Sequence, residues 1–144
     1  MRDGPGTILV GVDGSTSSLR AAAYAMGLAR RQGSRLVAVY VRTPPSGLLP
    51  LADGGGAVAT VIETQDEVEQ ELRALLLDRM GPFSVDARLM IRAGEPFTEI
   101  SDVAHEVRAD AVIVGRSAKI VHRLAGSIAS KLVRCGRWPV TVVP

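Results

Sequence analysis

Short apolar runs rich in β-branched residues recur along this chain, and segments of helical period separate them. No other feature limits the possible folds so sharply. Thr7–Val12 (TILVGV), Leu36–Val41 (LVAVYV), Ala111–Val114 (AVIV) and Val140–Val143 (VTVV) are apolar almost throughout. A strand covered on both faces needs such a run, as in a parallel sheet. Val85–Arg92 differs: Val85, Ala87, Leu89 and Ile91 alternate with Asp86, Arg88, Met90 and Arg92. That alternation predicts a half-exposed strand nearer an edge.

Helical spacing fills the intervals. Leu19, Ala22, Ala23 and Met26 share one face, with Ser15–Ser18 as candidate caps and Gly33 as a stop. Val68, Leu72, Leu75 and Leu76 form a second stripe, stopped by Gly81-Pro82. Phe97, Ile100, Ala104 and Val107 form a third, with Pro96 in its first turn. Ile128, Ala129, Leu132 and Val133 form a fourth, opened by Ser127 and closed near Gly136. The order is βαβαβαβαβ, which predicts one open α/β sheet with right-handed crossovers. At 144 residues the chain fits a single domain, 1–144. Aromatics are only 3%, so Val, Leu, Ile and Ala must fill the core. Arg42–Thr60 is rich in Pro and Gly without a clear period, and reads as a long loop leaving the C-terminal edge of the sheet.

Several function classes drop out. No apolar run approaches the ~20 residues that span a bilayer, so no membrane partner is expected. The N-terminus lacks the apolar stretch and cleavage site of a signal peptide. Cys135 is the sole cysteine, which excludes an intrachain disulfide or a cysteine-built metal site. A reducing cytoplasm is the expected location. The net charge of +2 is too mild to argue for nucleic acid. Charge is nonetheless uneven: residues 61–80 hold six acids and two arginines, whereas Gly115–Pro144 holds six Lys/Arg and no acid. That basic segment either meets an anion or is a solvated surface balanced by the acidic helix. Trp138 is its only aromatic, so stacking on bases has little support and no nucleic-acid partner is expected. P-loop, dinucleotide-fingerprint and nucleophile-elbow motifs are all missing.

In open α/β sheets ligands bind beyond the C-terminal strand ends, where strand order reverses. Two strand ends carry suitable residues. Asp13-Gly14-Ser15-Thr16-Ser17-Ser18 follows the first strand. Asp13 either accepts a hydrogen bond from a sugar or ring amine, or caps the first helix in an Asx turn. The Ser/Thr cluster either holds phosphate or is an ordinary helix start. Gly115-Arg116-Ser117-Ala118 follows the fourth strand, then Lys119, His122, Arg123 and Gly126-Ser127. Gly115 and Gly126 would let backbone N–H groups approach an anion, and the helix opening at Ser127 would present free amides. Turn glycines and a serine cap would look the same. His105 falls beside the third stripe and Cys135 near a helix end, which gives both a structural reading. Asp13, Asp53 and Asp66 form no metal-ligand pattern.

The residues ILVGVDGS at 8–15, VAVYVR at 37–42, GEP at 94–96 and VIVGRS…GSIASKLVRCGRWPVTVVP from 112 onward resemble the universal stress protein family. The resemblance covers nearly the whole chain. It implies a Rossmann-like parallel five-stranded sheet of order 3-2-1-4-5 with helices on both faces. It also implies a homodimer through Val140–Val143, and an adenine-nucleotide site for ATP in the binding members. Residues that match that site are Asp13, Val41, Val114, Gly115, Gly126, Ser127 and Ile128, with Arg116 and Ala118 in the same element. The family's binding pattern is G-x2-G-x9-G-[ST]. Here Ala118 stands at the second glycine, and only Lys119–Ala125, seven residues, precede Gly126-Ser127. The leading expectation is a cytoplasmic, non-enzymatic stress-response protein that binds ATP or AMP as a regulatory ligand. The two departures favour an alternative, a dimeric protein-interaction module of the same family without nucleotide.

Overall fold

The computed structural model describes residues 5–44, 56–79, 85–116 and 127–144. Five strands, β1 (Thr7–Val12), β2 (Arg35–Arg42), β3 (Ala87–Ala93), β4 (Ala111–Gly115) and β5 (Val140–Val143), form one sheet. Its order is β3-β2-β1-β4-β5, and every adjacent pair is parallel. The four helices are α1 (Thr16–Gln32), α2 (Gly56–Arg79), α3 (Pro96–Glu106) and α4 (Ile128–Cys135).

Alternation along the strands sends side chains to two cores. Ile8, Val10, Val12, Leu36, Ala38 and Tyr40 pack with α1 and α2. Leu9, Val37, Val39, Val112 and Val114 pack with α3 and α4. Both faces of the sheet are thus covered, which is why the middles of β1, β2 and β4 are apolar. At the edge, β3 turns Ala87, Leu89 and Ile91 to the first core. On its other side Arg92 pairs with Glu106 of α3.

α1 packs along β1 and β4. Its buried line is Ser18, Ala21, Ala25 and Ala29, while Leu19, Ala22 and Met26 flank it and Ala23 is exposed. The expected stripe of Leu19, Ala22, Ala23 and Met26 is therefore displaced by one position. Close approach selects the smallest side chains for the contact and moves the larger ones to its rim. Ser15 caps the helix by accepting from the Ser18 N–H, and Gly33 ends it at φ 64°.

Two further expectations are corrected. α2 begins at Gly56, so residues 56–60 are helical rather than part of a loop. At the other end of the expected Arg42–Thr60 loop, Arg42 closes β2; residues 45–55 lie outside the described residues, as does Gly81-Pro82. Of the apolar stripe of α2, Leu72 is buried but Leu75 is exposed. On α4, Leu132 is fully buried whereas Val133 is 58% exposed. α2 and α4 each meet the sheet along a line narrower than their apolar stripe.

The N-terminal end of the sheet is tied by Asp110. Its Oδ2 accepts from the Gly6 N–H at 2.8 Å and the Thr7 N–H at 3.0 Å, fixing the start of β1 beside β4.

Candidate functional site

The strand order reverses between β1 and β4. Their parallel register pairs Gly11 with Val114, so both chains leave the sheet side by side at Asp13 and Arg116. α1 starts between these exits. Asp13 is exposed, and its Oδ1 accepts from the Ser15 N–H at 2.9 Å in an Asx turn. The Asp13 N–H donates to Ser18 Oγ at 3.1 Å. Gly14, at φ +82°, completes the turn against α2, where an added Cβ would lie 2.9 Å from Val68 Cγ1.

On the other exit, Gly115 lies directly on the backbone of α1. An added Cβ would lie 2.5 Å from the Ser17 carbonyl carbon and 2.6 Å from the Ser18 nitrogen. The Ser17 hydroxyl donates to the Arg116 carbonyl at 2.7 Å, and the Arg116 N–H donates to the Val143 carbonyl of β5 at 2.7 Å. The Ser/Thr cluster, read from sequence as a candidate phosphate holder, uses Ser15, Ser17 and Ser18 in contacts within the fold. Sequence reasoning treated Gly115 as an approach for an anion. Its missing side chain accommodates α1.

Val41 sits near the end of β2, half-buried and paired with Arg92. Val114 is buried in the core beneath α3 and α4. Ser127 caps α4 by accepting from the Ser130 N–H at 3.2 Å, and Ile128 packs into the second core. Ala118 and Gly126 lie outside the described residues, as do Lys119, His122, Arg123 and Asp53. The structure thus brings Asp13 and Gly115–Arg116 together around one helix start, with Val41 on the neighbouring strand.

Charges near the C-terminal end of β2 are arranged by α2. Arg42 Nη1 meets Asp66 Oδ1 at 2.6 Å and Glu69 Oε2 at 3.1 Å, and Arg73 reaches Glu69 Oε1 at 2.8 Å. The hydrogen bond that Arg42 donates to Asp66 raises the pKa of Arg42, against the effect of its partial desolvation. Arg73, and then Arg42, hold the Glu69 carboxyl below its ordinary range. Tyr40 is pushed up, chiefly by burial, with Arg42 opposing and Asp13, Glu69 and Asp66 adding to it. Sequence reading missed this network, although Arg42 after a strand and Asp66/Glu69 at helical spacing were its signal.

Glu95 caps α3. Its carboxylate accepts from the Phe97 and Thr98 amides and the Thr98 hydroxyl, and stands 3.7 Å from Lys131 of α4. Burial alone would raise its pKa, but the Thr98 and Phe97 hydrogen bonds outweigh burial and lower it. His105 is exposed rather than packed, and lines a shallow groove with Ser101, Asp102, Glu106, Arg137 and Trp138. Cys135 is half-buried, its Sγ 3.1 Å from the Leu132 carbonyl. Among the described residues, no group of acids, histidines or cysteines could hold a metal ion, and no helix is long and apolar enough to cross a membrane.

This arrangement agrees with the comparisons. The profile of the universal stress protein family matches residues 5–144. A universal stress protein of Methanocaldococcus jannaschii is 28% identical over 139 residues, covering 94% of this chain and 80% of the relative. The solved structure of a universal stress protein from Lactobacillus plantarum superposes with a TM-score of 0.79 at 24% identity, covering 96% of this chain and 97% of the other. Another universal stress protein, solved in complex with cAMP, is 25% identical with a TM-score of 0.67, and 98% of each chain is covered. With the sheet order, the sequence motifs and the family match in agreement, the chain belongs to the universal stress protein family.

Proposed function

We propose that this protein binds an adenine nucleotide, AMP or ATP, as a regulatory ligand in the notch beyond β1 and β4, and that it is not an enzyme. The observation that carries the reading is the meeting of Asp13 and Gly115–Arg116 at the reversal point, on either side of the start of α1. Asp13 faces a ribose or ring amine, and the Val41 backbone serves as the adenine contact. The phosphates lie toward Gly126, Ser127 and Ile128, where the start of α4 supplies amides and a favourable dipole. The charge distribution supports that orientation. Arg42 is already met by Asp66 and Glu69, so the β2 side offers no uncommitted positive charge at that residue. A phosphate belongs with the acid-free segment from Gly115 onward. The cAMP complex of a relative supports adenine nucleotides as the ligand class.

Without a Walker lysine, phosphoryl transfer lacks a central part of its machinery. The proposed protein is cytoplasmic and dimeric, with β5 pairing with its copy through Val140–Val143. Neither nucleic acid nor membrane is a partner in this reading.

Calorimetry with AMP, ADP, ATP and cyclic AMP tests the proposal. Binding is expected, and Asp13→Ala should weaken it. Absence of heat at millimolar ligand with folded protein rejects it. A second reading, a nucleotide-free protein-interaction module, is favoured by Ala118 at the second glycine position and by the seven-residue spacing. Purified protein carrying stoichiometric nucleotide, seen as absorbance at 260 nm, would eliminate that alternative.

A further inference from the structure

We propose that the groove between α3 and the turn joining α4 to β5 binds a small zwitterion, an α-amino acid with an aromatic side chain. Ser101, Asp102, His105 and Glu106 of α3 and Arg137 and Trp138 after α4 line its volume of about 630 Å³. That volume is within the range of small-molecule sites. The groove shares no residue with those assigned to the nucleotide. Its floor holds a polar group with nothing to bond. Ser101 is only 6% exposed, and its Oγ has no hydrogen-bond partner. A serine inside a helix commonly returns its proton to the carbonyl four residues earlier, here that of Phe97, but Ser101 makes no such bond. A buried hydroxyl left unpaired is destabilising and rare in folded proteins.

The rim holds two opposite charges that do not meet. Asp102 and Arg137 are both exposed and line the same groove, yet neither enters an ion pair among the described residues. Glu106, the other acid, is committed to Arg92. One free carboxylate on α3 and one free guanidinium after α4 are therefore left beyond each other's reach. A singly charged ligand would be drawn to one of them and repelled by the other. A zwitterion answers both, its ammonium going to Asp102 and its carboxylate to the donor fork of Arg137. The Ser101 hydroxyl can accept from the ammonium or donate to the carboxylate. It is closed to water, so a ligand reaches it as the exposed side chains above it part. Trp138, half-buried against the second core, offers ring surface to an aromatic side chain.

Trp138 is the only tryptophan of the chain, so its emission reports on this groove. The full chain is titrated with L-phenylalanine, and in parallel with phenethylamine and phenylpropionate, which carry one charge each. Calorimetry repeats each titration, so that a complex silent in emission is still seen. L-phenylalanine should bind saturably, and each singly charged analogue about fivefold more weakly or worse, the factor that one exposed ion pair is worth. Asp102→Asn and Arg137→Gln should each weaken L-phenylalanine binding by a similar factor. Ser101→Ala should weaken it roughly fivefold, as for one net hydrogen bond, without lowering the melting temperature, because the hydroxyl has no partner in the free protein to lose. Neither heat nor a saturable emission change with L-phenylalanine overturns the proposal. Equal affinity for either analogue, or wild-type affinity in any of the three variants, overturns it as well. Each of these results leaves the nucleotide reading untouched.

Discussion

The Cα of Gly115 rests against the peptide backbone of Ser17: a methyl group there would sit 2.5 Å from the Ser17 carbonyl carbon and 2.7 Å from its oxygen. Both atoms belong to a helix start held by its own cap and by the sheet, so neither can swing aside as a side chain would. Gly115→Ala should therefore destabilise the protein by about 3 kcal/mol, the upper part of the overpacking range. Urea denaturation measures this. A loss below about 1 kcal/mol would mean that α1 can lift from the sheet without consequence.

Glu95 links stability to pH. Its folded-state pKa lies below the ordinary value of 4.5, because the Thr98 and Phe97 bonds outweigh the opposing effect of burial. A depressed carboxyl contributes its stabilisation in full above the unfolded pKa and loses it as pH falls through the folded one. Stability should thus decline as the solution is acidified below pH 4.5. Glu69, also depressed, contributes in the same direction. Glu95→Gln keeps an acceptor for the cap but removes the titration, so it should flatten part of the acid limb. Glu95→Ala should lose about 1 kcal/mol at neutral pH with the cap itself. Thermal melts from pH 3 to 7 distinguish the two variants. An unchanged acid limb in Glu95→Gln would assign the decline to other carboxyls.

Much of this fold was legible because apolar period tracks layer. Continuous runs marked the doubly covered strands, and the alternation of Val85–Arg92 marked the edge. The sheet order came from family resemblance, since period alone does not say which strands are neighbours. Less legible were features set by distance between backbones. Nothing in the local sequence says that Ser18, Ala21 and Ala25, rather than Leu19 and Met26, face the sheet. That choice follows from how near α1 must come to Gly115. Gly115 itself was read for its missing side chain, which was the right property, but α1 rather than an anion fills the space. The early start of α2 was hidden by the Gly-rich residues before it. Ala118 and Gly126 lie outside the described residues, so the phosphate side rests on Ser127 and the segment's charge.

Asp110 offers a test at the opposite end of the sheet. Its Oδ2 accepts from two consecutive amides, Gly6 and Thr7, one strand away. Asp110→Ala removes both partners at once. The groups are solvent-accessible, so water replaces part of what is lost, and the expected destabilisation is about 1 kcal/mol. Asp110→Asn, which retains one carbonyl acceptor, should recover part of it. Hydrogen exchange at the Gly6 and Thr7 amides reports the site directly and should accelerate in Asp110→Ala. Unchanged exchange would mean that β1 is held at this end by its ladder alone.

The free edge of β5 gives the last prediction. The Val112 N–H donates to the Pro139 carbonyl and the Arg116 N–H to the Val143 carbonyl. In a parallel ladder bonding residues alternate, so Pro139, Thr141 and Val143 address β4, while Val140 and Val142 turn their backbone groups outward. Val142 also has 43% of its surface exposed. Proline at 142 would remove an outward amide and leave the bonds to β4 in place, which is where strands tolerate it. If the proposed dimer forms by pairing of β5 with its copy, Val142→Pro should be monomeric by sedimentation, with the circular dichroism of the wild type. The control is Thr141→Pro, which removes an amide directed at β4 and should lower the melting temperature as well. A Val142→Pro protein that remains dimeric would place the interface elsewhere, and α2, with Leu77 73% exposed, would be the surface to examine next.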